Sequence, residues 1–514
     1  MKADRVLRAT EVGIPDDCGR PLECAKRRLP TLAAFLIAVA STLVMTFAGC
    51  ANPGAIAPQA TMIAPARVGV SEPAAQAPGL APDWWLGFGD PVLSALIERA
   101  LADNPTLKAS LARVERAAAS ASAADAAQAP QLNGSLELTH QRFTANGLYP
   151  PPLAGSTRDT GTLQAAGSWD LDLFGRNRAA LDAAIGAERA AEADGQAARV
   201  LLASNVARTY VQLARLVEQR AIATRSLAQR DEFLGLIRQR VQAGLDTNVE
   251  LRQGEGALPE TRQQIEAFDE QIVLTRHALA ALIVQPPGAL DALAPRLGGV
   301  RIAALPAALP ADLLGRRPDI AAARWRIEAA TDDVAAARAQ FYPNINLSAF
   351  VGLSSIGLDR LLRSGSAQYG AGPAIHLPIF DAGRLRANLR GRAADLDLAV
   401  ETYNGTVVEA VRDVADQISS LQSIERQRRE QGLAQAAAES GYDLATQRYK
   451  AGLGTYLTVL TAEATVLNQR RSGADLEARV LESQFVLIRA LGGGYAGDFP
   501  DRDVALRRTA QTSR

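Results

Sequence analysis

No cysteine follows position 50 in this 514-residue chain; the three present are Cys18, Cys24 and Cys50. A disulfide framework or thiolate cluster in the body is thereby excluded. Histidine is equally scarce: His140, His277 and His376 stand far apart on three different stretches, without the paired spacing that a zinc site uses. Charge of neither sign dominates, since 55 basic residues balance 55 acidic ones, and the basic face that a nucleic-acid partner selects is not expected. Aromatic residues make up only 5%, whereas alanine, which lets helices form and approach closely, is abundant. P-loop, H-E-x-x-H, C-x-x-C and nucleophile-elbow patterns are all missing. The glycine triplet Gly492 to Gly494 precedes no helix and is no nucleotide loop. Neither an enzyme nor a cofactor nor a metal is expected.

What the chain does have is one long pattern written twice. Gly175-Arg176 corresponds to Gly383-Arg384, and Val-Gln-Ala-Gly-Leu-Asp-Thr from Val241 corresponds to Tyr-Lys-Ala-Gly-Leu-Gly-Thr from Tyr449. Gly175 and Gly383 are 208 positions apart, as are Gly244 and Gly452, so the two intervening stretches have equal length. Upstream, Asn104-Pro105 corresponds to Arg317-Pro318 and Pro130 to Pro343, at an offset of 213. The five-residue difference falls between Pro130 and Gly175, where loops belong. Each copy reads helix, proline, two strands, Gly-Arg, long helix, glycine turn, return helix. From Arg384 to Ala451 no proline intervenes, and a helix of that length spans about 100 Å, more than a single globular core is deep. Coiled coil, solenoid or projecting tube are the options. A narrow apolar stripe (Val206, Tyr210, Leu213, Val217, then Phe233, Leu236, Ile237, Val241) bordered by alanine fits helices packed side by side in a cylinder. Pro259 predicts a kink in the first return helix.

The strand signals alternate. Leu132, Leu136 and Leu138 interleave with Asn133, Ser135, Glu137 and Thr139; Ile345, Leu347, Ala349, Val351 and Leu353 interleave with Asn344, Asn346 and Ser348. Runs of roughly 10 such residues match a tilted transmembrane strand, with lipid on the apolar face and water on the other. A half-buried soluble sheet shows the same period. Four strands cannot close a barrel, and open edges are forbidden in lipid, so a membrane reading requires a ring of identical subunits.

At the N-terminus, Lys26-Arg27-Arg28 precedes the apolar run Leu29 to Phe47, the order of a secretory signal. Phe47-Ala48-Gly49-Cys50 resembles the lipobox of bacterial lipoproteins, which implies lipid on Cys50 and, with Ala51 rather than aspartate next, sorting to the outer membrane. The chain then divides into a lipoprotein-type signal peptide (1–49), a Pro/Ala-rich lipidated tether (50–81), a first repeat (82–290), an inter-repeat linker (291–312), a second repeat (313–494) and a C-terminal tail (495–514) with little pattern.

Taken in order, Trp84 to Pro91 (W-W-L-G-F-G-D-P), Asp172 to Arg176 (D-L-F-G-R), Arg316 to Ala323, Phe341 to Leu347, Pro378 to Arg384 and Arg448 to Leu460 resemble the TolC-like outer-membrane efflux proteins. The closest likeness is to the NodT-type lipoprotein branch, the outer-membrane factors of resistance-nodulation-division pumps. The resemblance spans about Pro82 to Gly492. It implies a mainly α fold carrying a membrane β-barrel: a homotrimer whose twelve strands close one barrel and whose twelve helices form a periplasmic tunnel. It further implies a passive duct that receives drugs or toxic metabolites from a periplasmic adaptor and a proton-driven inner-membrane transporter. By the same resemblance the two glycine turns form the periplasmic tip, with Gly244, Leu245, Gly452 and Leu453 as adaptor-docking residues. Relatives often carry an aspartate where Thr461 stands and a basic residue where Ala464 stands. Nearby charges, Asp246, Glu250, Arg252 and Glu463, are therefore candidates for a closing network and acidic rim. A duct for type I protein secretion, or a periplasmic coiled-coil scaffold lipoprotein, are the other readings.

Overall fold

The computed structural model describes residues 54–69, 80–300, 316–495 and 497. The signal-like run, Cys50, the end of the inter-repeat linker and the tail beyond 497 lie outside the described residues.

Helix α1 (Pro91–Asp103) starts where an Asp-Pro pair predicts: Asp90 Oδ1 accepts from the amides of Val92 (2.8 Å) and Leu93 (3.1 Å). Helix α2 (Pro105–Ala126) is capped likewise by Asn104, whose Oδ1 accepts from the Thr106 amide at 2.9 Å. Strands β1 (Gln131–Arg142) and β2 (Thr157–Asp170) follow, then helix α3 (Arg176–Gln242) and its return α4 (Asn248–Leu282). The second copy gives α5 (Pro318–Ala339), β3 (Asn344–Ile356), β4 (Ala367–His376), α6 (Arg384–Lys450) and α7 (Tyr456–Ala490). Lengths match copy for copy: 22 residues in α2 and α5, 67 in α3 and α6, 35 in α4 and α7.

At 67 residues, α3 and α6 are each about 100 Å long. Neither shorter helix reaches that far alone, so each long helix is flanked by two stacked ones. Asn104, at the head of α2, donates through Nδ2 to Leu282 O at the foot of α4 (3.0 Å). At the matching place Arg317 donates to Ala490 O (3.2 Å). Both bonds satisfy carbonyls that a helix terminus leaves without partners. Toward the sheet the neighbours run α2, α3, α5, α6; toward the turns they run α4, α3, α7, α6. At the changeover Trp84, Phe88 and Phe485 pack with ring centroids 4.8 to 6.0 Å apart, which is what W-W-L-G-F encodes. Pro259, where a kink is expected, lies inside a helix that continues on both sides of it. Nearby, Ala257 O accepts from Thr261 Oγ1 (2.8 Å) and from Arg230 (3.2 Å), bonds from outside the helix ladder.

The strands form one antiparallel sheet in the order β1-β2-β3-β4. Its register sorts most side chains onto two faces, with Phe350 and Ile356 the apolar exceptions on the polar one. Opposite Leu136 stands Leu163, opposite that Leu353, and opposite that Ala367; a second row is Gly134, Ala165, Val351 and Tyr369. One step along, the rows read Ser135, Gln164, Gly352, Gln368 and Glu137, Thr162, Ser354. On this polar face Gln368 donates to Gln164 (3.2 Å), and the Thr162 and Ser354 hydroxyls lie 3.2 Å apart. Leu132, Val351, Tyr369 and Ile375 on the other face are exposed in the single chain. Strands of 10 to 14 residues, tilted near 45°, cross about 30 Å of hydrocarbon. No helix among the described residues is long and apolar enough to do so.

Residues 54–69 amend the expectation of a plain tether. The amides of Gln59 and Ala60 donate to Asp397 Oδ1 (2.7 and 2.8 Å), and that of Ile63 to Asn404 Oδ1 (2.7 Å). Two polar side chains seven residues apart on one face of α6 thus hold an extended strap, while Ile56, Ala60 and Ile63 pack over the α5–α6 core.

Candidate functional site at the helical turns

Both long helices end in the same way. Gly244 and Gly452 adopt φ of +73° and +77°, and a Cβ there would meet nothing within 4 Å, so the backbone conformation is what demands glycine. Leu245 N–H donates to Arg240 O and Leu453 N–H to Arg448 O, each at 2.8 Å; Gly244 and Gly452 donate to Val241 O and Tyr449 O at 3.0 Å. This is the Schellman closure. It normally tucks an apolar side chain against the helix, yet Leu245 and Leu453 remain 66% and 70% exposed. Thr247 and Glu250 then open α4 with a capping box, whereas Thr455 holds the N-cap position of α7 without a side-chain cap bond, its hydroxyl 3.1 Å from that of Thr458. The four predicted docking residues therefore sit at the two turns, with both leucines offered to solvent.

The four predicted gate charges do not converge; each has its own partner. Asp246 accepts from Arg240 Nε (2.9 Å) and Nη2 (3.2 Å) and from the Tyr449 hydroxyl across the two hairpins. The Arg240 guanidinium also lies 4.6 Å over the Tyr449 ring. Burial works against ionisation of Asp246, but the bonds from Arg240 and Tyr449 outweigh it and hold its carboxyl below the usual range. The Tyr449 phenol is pushed up by its burial and by donating to Asp246. Ile237, Tyr449, Tyr456 and Val459 pack around this lock, and Phe233 stacks on both tyrosines. Glu250 is spent on the capping box, and exposed Arg252 pairs with Glu255 at 2.8 Å.

Glu463 lies inside, not on a rim. Arg230 Nε reaches its two oxygens at 3.0 and 3.1 Å, and Ser226 Oγ donates to it at 2.9 Å. Both charged side chains are nearly withdrawn from solvent, at 12% and 9% exposure. Arg230 also donates to Ala257 O and to Thr261 Oγ1 (2.8 Å), so one side chain of α3 grips α4 and α7 together. Thr461 donates to Leu457 O of its own helix. Sequence reasoning missed Arg230, Arg240 and Tyr449. A signal existed: the 208-residue offset sets Tyr449 against Val241 and Asp246 against Gly454, so the lock lies where the copies differ.

Comparison with known proteins adds an independent view. The family model for outer membrane efflux proteins matches residues 96–284 and 309–493. The fusaric acid resistance protein FusA of Burkholderia cepacia is 41% identical over 371 residues, covering 70% of this chain and 68% of that protein. A putative multidrug resistance outer membrane protein, MdtQ of Escherichia coli K12, is 32% identical over 476 residues, 91% of this chain and 98% of its own. Among solved structures, the outer membrane protein VceC of Vibrio cholerae superposes with a TM-score of 0.77 at 35% identity, over 81% of this chain and all of that one. The Campylobacter jejuni CmeC channel shares the fold, with a TM-score of 0.78 at 21% identity over 88% of this chain and 98% of that one.

Proposed function

Because this chain belongs to the outer membrane efflux protein family, we propose that it is the outer-membrane duct through which a periplasmic adaptor and a proton-driven inner-membrane pump discharge small molecules. Members of this family are channels; they form trimers and work in tripartite pumps. The observation that carries the reading is the strand register: a largely apolar face on a sheet joined directly to helices of about 100 Å. Both edges of that sheet are unpaired in one chain, and three copies close the edges. Relatives named for resistance to fusaric acid and to multiple drugs favour small molecules over secreted proteins as cargo. The scaffold reading has no use for the apolar face. Extraction from outer membranes in mild detergent should yield a native mass of three subunits; a monomer released by salt alone would leave the scaffold standing.

Lipidation at Cys50 fits the strap. Asp397 lies 13 residues below the head of α6, roughly 20 Å, and the nine residues from Cys50 to Gln59 span up to about 30 Å when extended. Cys50 can therefore reach the lipid level.

Adaptor docking falls to the two turns. Leu245 and Leu453 supply the apolar contact, while Gly244 and Gly452 leave open backbone beside them. Replacing both leucines (Leu245→Asp, Leu453→Asp) should lower site-specific cross-linking to the adaptor by an order of magnitude or more, as loss of central anchors does. The trimer should form as before, because neither side chain is packed. Cross-linking that persists at the original level would refute the assignment.

Closure of the duct rests on the Arg240–Asp246–Tyr449 lock, with Glu250 and Arg252 at the solvent-facing rim and Glu463 behind it. A carboxyl whose folded pKa is depressed contributes fully above its ordinary value near 4 and loses that contribution as pH falls through the lowered one. The closed-state conductance in planar bilayers should thus stay flat from about pH 5 to pH 9 and rise only below about pH 4. Asp246→Asn should remove the acid threshold and raise leak at neutral pH. A conductance rising already near pH 6 would point to another group.

A further inference from the structure

The duplication exposes an asymmetry on the outside of the helices. In the second copy, the strap at residues 54–69 fills the groove over α6 and is held by Asp397 and Asn404. At the 208-residue offset their counterparts on α3 are Arg189 and Gln196. Both line a groove of about 740 Å³ that the strap at residues 54–69 does not enter. Leu107, Leu111 and Val114 of α2 and Val200 of α3 give it an apolar side, and Glu192 and Arg199 line it beside Arg189 and Gln196. Arg189 lies over the Trp325 ring at 4.6 Å and Arg199 over that of Trp85 at 5.6 Å. Stacked in this way, a guanidinium is fixed through its flat face and keeps its N–H edge for an acceptor. The groove thus repeats the strap's seat with the polarity reversed: where Asp397 accepts backbone N–H, Arg189 offers donors.

The end of the described chain lies in that groove. Gly493, Gly494, Tyr495 and Gly497 line it, with Gly497 folded against the Tyr495 ring. The next residues are Asp498, Phe499, Pro500, Asp501, Arg502 and Asp503, three carboxylates around one phenyl ring. Reach agrees as well: Val200 to Arg189 is 11 residues of helix, about 16 Å, and six extended residues cover about 20 Å.

We infer that the C-terminal segment after Gly497 is the strap of the first repeat, seating Phe499 between Leu107 and Leu111 and bringing its aspartates to Arg199 and Arg189. Each repeat is then belted once, by the N-terminal strap on α6 and by the C-terminal strap on α3. This inference does not depend on what the duct conducts.

The test uses the full chain with Cys18→Ser and Cys24→Ser, carrying Leu111→Cys as a reporter. In purified trimers, maleimide should label the reporter about tenfold more slowly than in the same chain stopped after Gly497, as expected for a site exposed only by local opening. Should the shortened chain fail to assemble, the full-length Asp498→Asn, Asp501→Asn, Asp503→Asn variant serves in its place and should label faster than its parent. A short bis-maleimide should join Leu111→Cys to Phe499→Cys within one subunit. Equal labelling rates would overturn the inference. So would protection that survives loss of the segment, which would mean a neighbouring copy covers the groove, and so would cross-links that run only between subunits.

Discussion

A chain carrying Gly492→Ala should fail to accumulate as trimer in the outer membrane. Gly492, Gly493 and Gly494 all have positive φ (+94°, +58° and +80°), and none has room for a side chain. A Cβ on Gly492 would lie 1.8 Å from Arg316 O, one on Gly493 2.4 Å from Val200 Cγ1, and one on Gly494 2.3 Å from Ala81 O. The triplet therefore threads a seam where the end of α7, the entry to α5, the flank of α3 and the start of the ordered N-terminal body meet. Beside it the Arg317 side chain donates to Ala490 O and pairs with Asp319 at 2.7 Å, closing the foot of α7. Because the obstacle at Gly492 is a backbone carbonyl, no rotamer change relieves it. The left-handed backbone costs alanine roughly 1–2 kcal/mol, and overpacking adds about 1–3 kcal/mol. Together these are a large share of the 5–15 kcal/mol that typically separates folded from unfolded. The amount of heat-modifiable trimer in isolated outer membranes is the readout. Gly235→Ala is the control: it lies within α3, a Cβ there meets nothing within 4 Å, and it should gain up to about 1 kcal/mol from helix propensity. Normal trimer levels for Gly492→Ala would show that the seam can open without penalty.

That seam marks the boundary of what could be read from residues alone. Local rules wrote the elements. The Asp90-Pro91 and Asn104-Pro105 starts, the Gly244 and Gly452 stops and the two-residue alternation of the strands each depend on neighbours a few positions away. The duplication supplied the rest of the architecture, since one copy's boundaries check the other's. Long-range pairings carried no such signal. Tyr449 meets Asp246 across 203 positions and Arg230 meets Glu463 across 233. On helices bordered by alanine and packed on two sides, a charged residue pointing inward looks like one pointing out. For that reason Glu463 reads in sequence as a rim charge, and the glycine triplet tells only what it does not bind. The strap reads in sequence as a loose tether because its backbone, not its side chains, makes the bonds to Asp397 and Asn404.

Glu463→Ala should loosen the half of the helical body nearer the turns. The substitution leaves the Arg230 guanidinium, 12% exposed, without its counter-charge, and removing one partner of a buried ion pair costs about 3–5 kcal/mol. The loss is local, because Arg230 joins α3 to α4 through Ala257 and Thr261 and to α7 through Glu463. Burial already pushes the Tyr442 and Tyr456 phenols up, with the charge of Glu463 adding to both, which places the carboxylate in the same confined space. Amide hydrogen exchange in α4 and the first half of α7 should accelerate by two to three orders of magnitude, about 1.4 kcal/mol per tenfold. Exchange in the strands should not change. Replacing the pair with apolar groups of similar size, Arg230→Met with Glu463→Leu, should recover most of the protection, since the penalty belongs to the orphaned charge rather than to the missing attraction. Leak conductance separates stability from gating. If the Asp246–Tyr449 lock alone closes the duct, the double variant conducts like the parent. If the grip of Arg230 on three helices also sets their crossing, the double variant stays leaky although it is stable. Should Glu463→Ala by itself leave exchange within threefold of the parent, the pair is no more than a surface contact and the buried clamp is wrong.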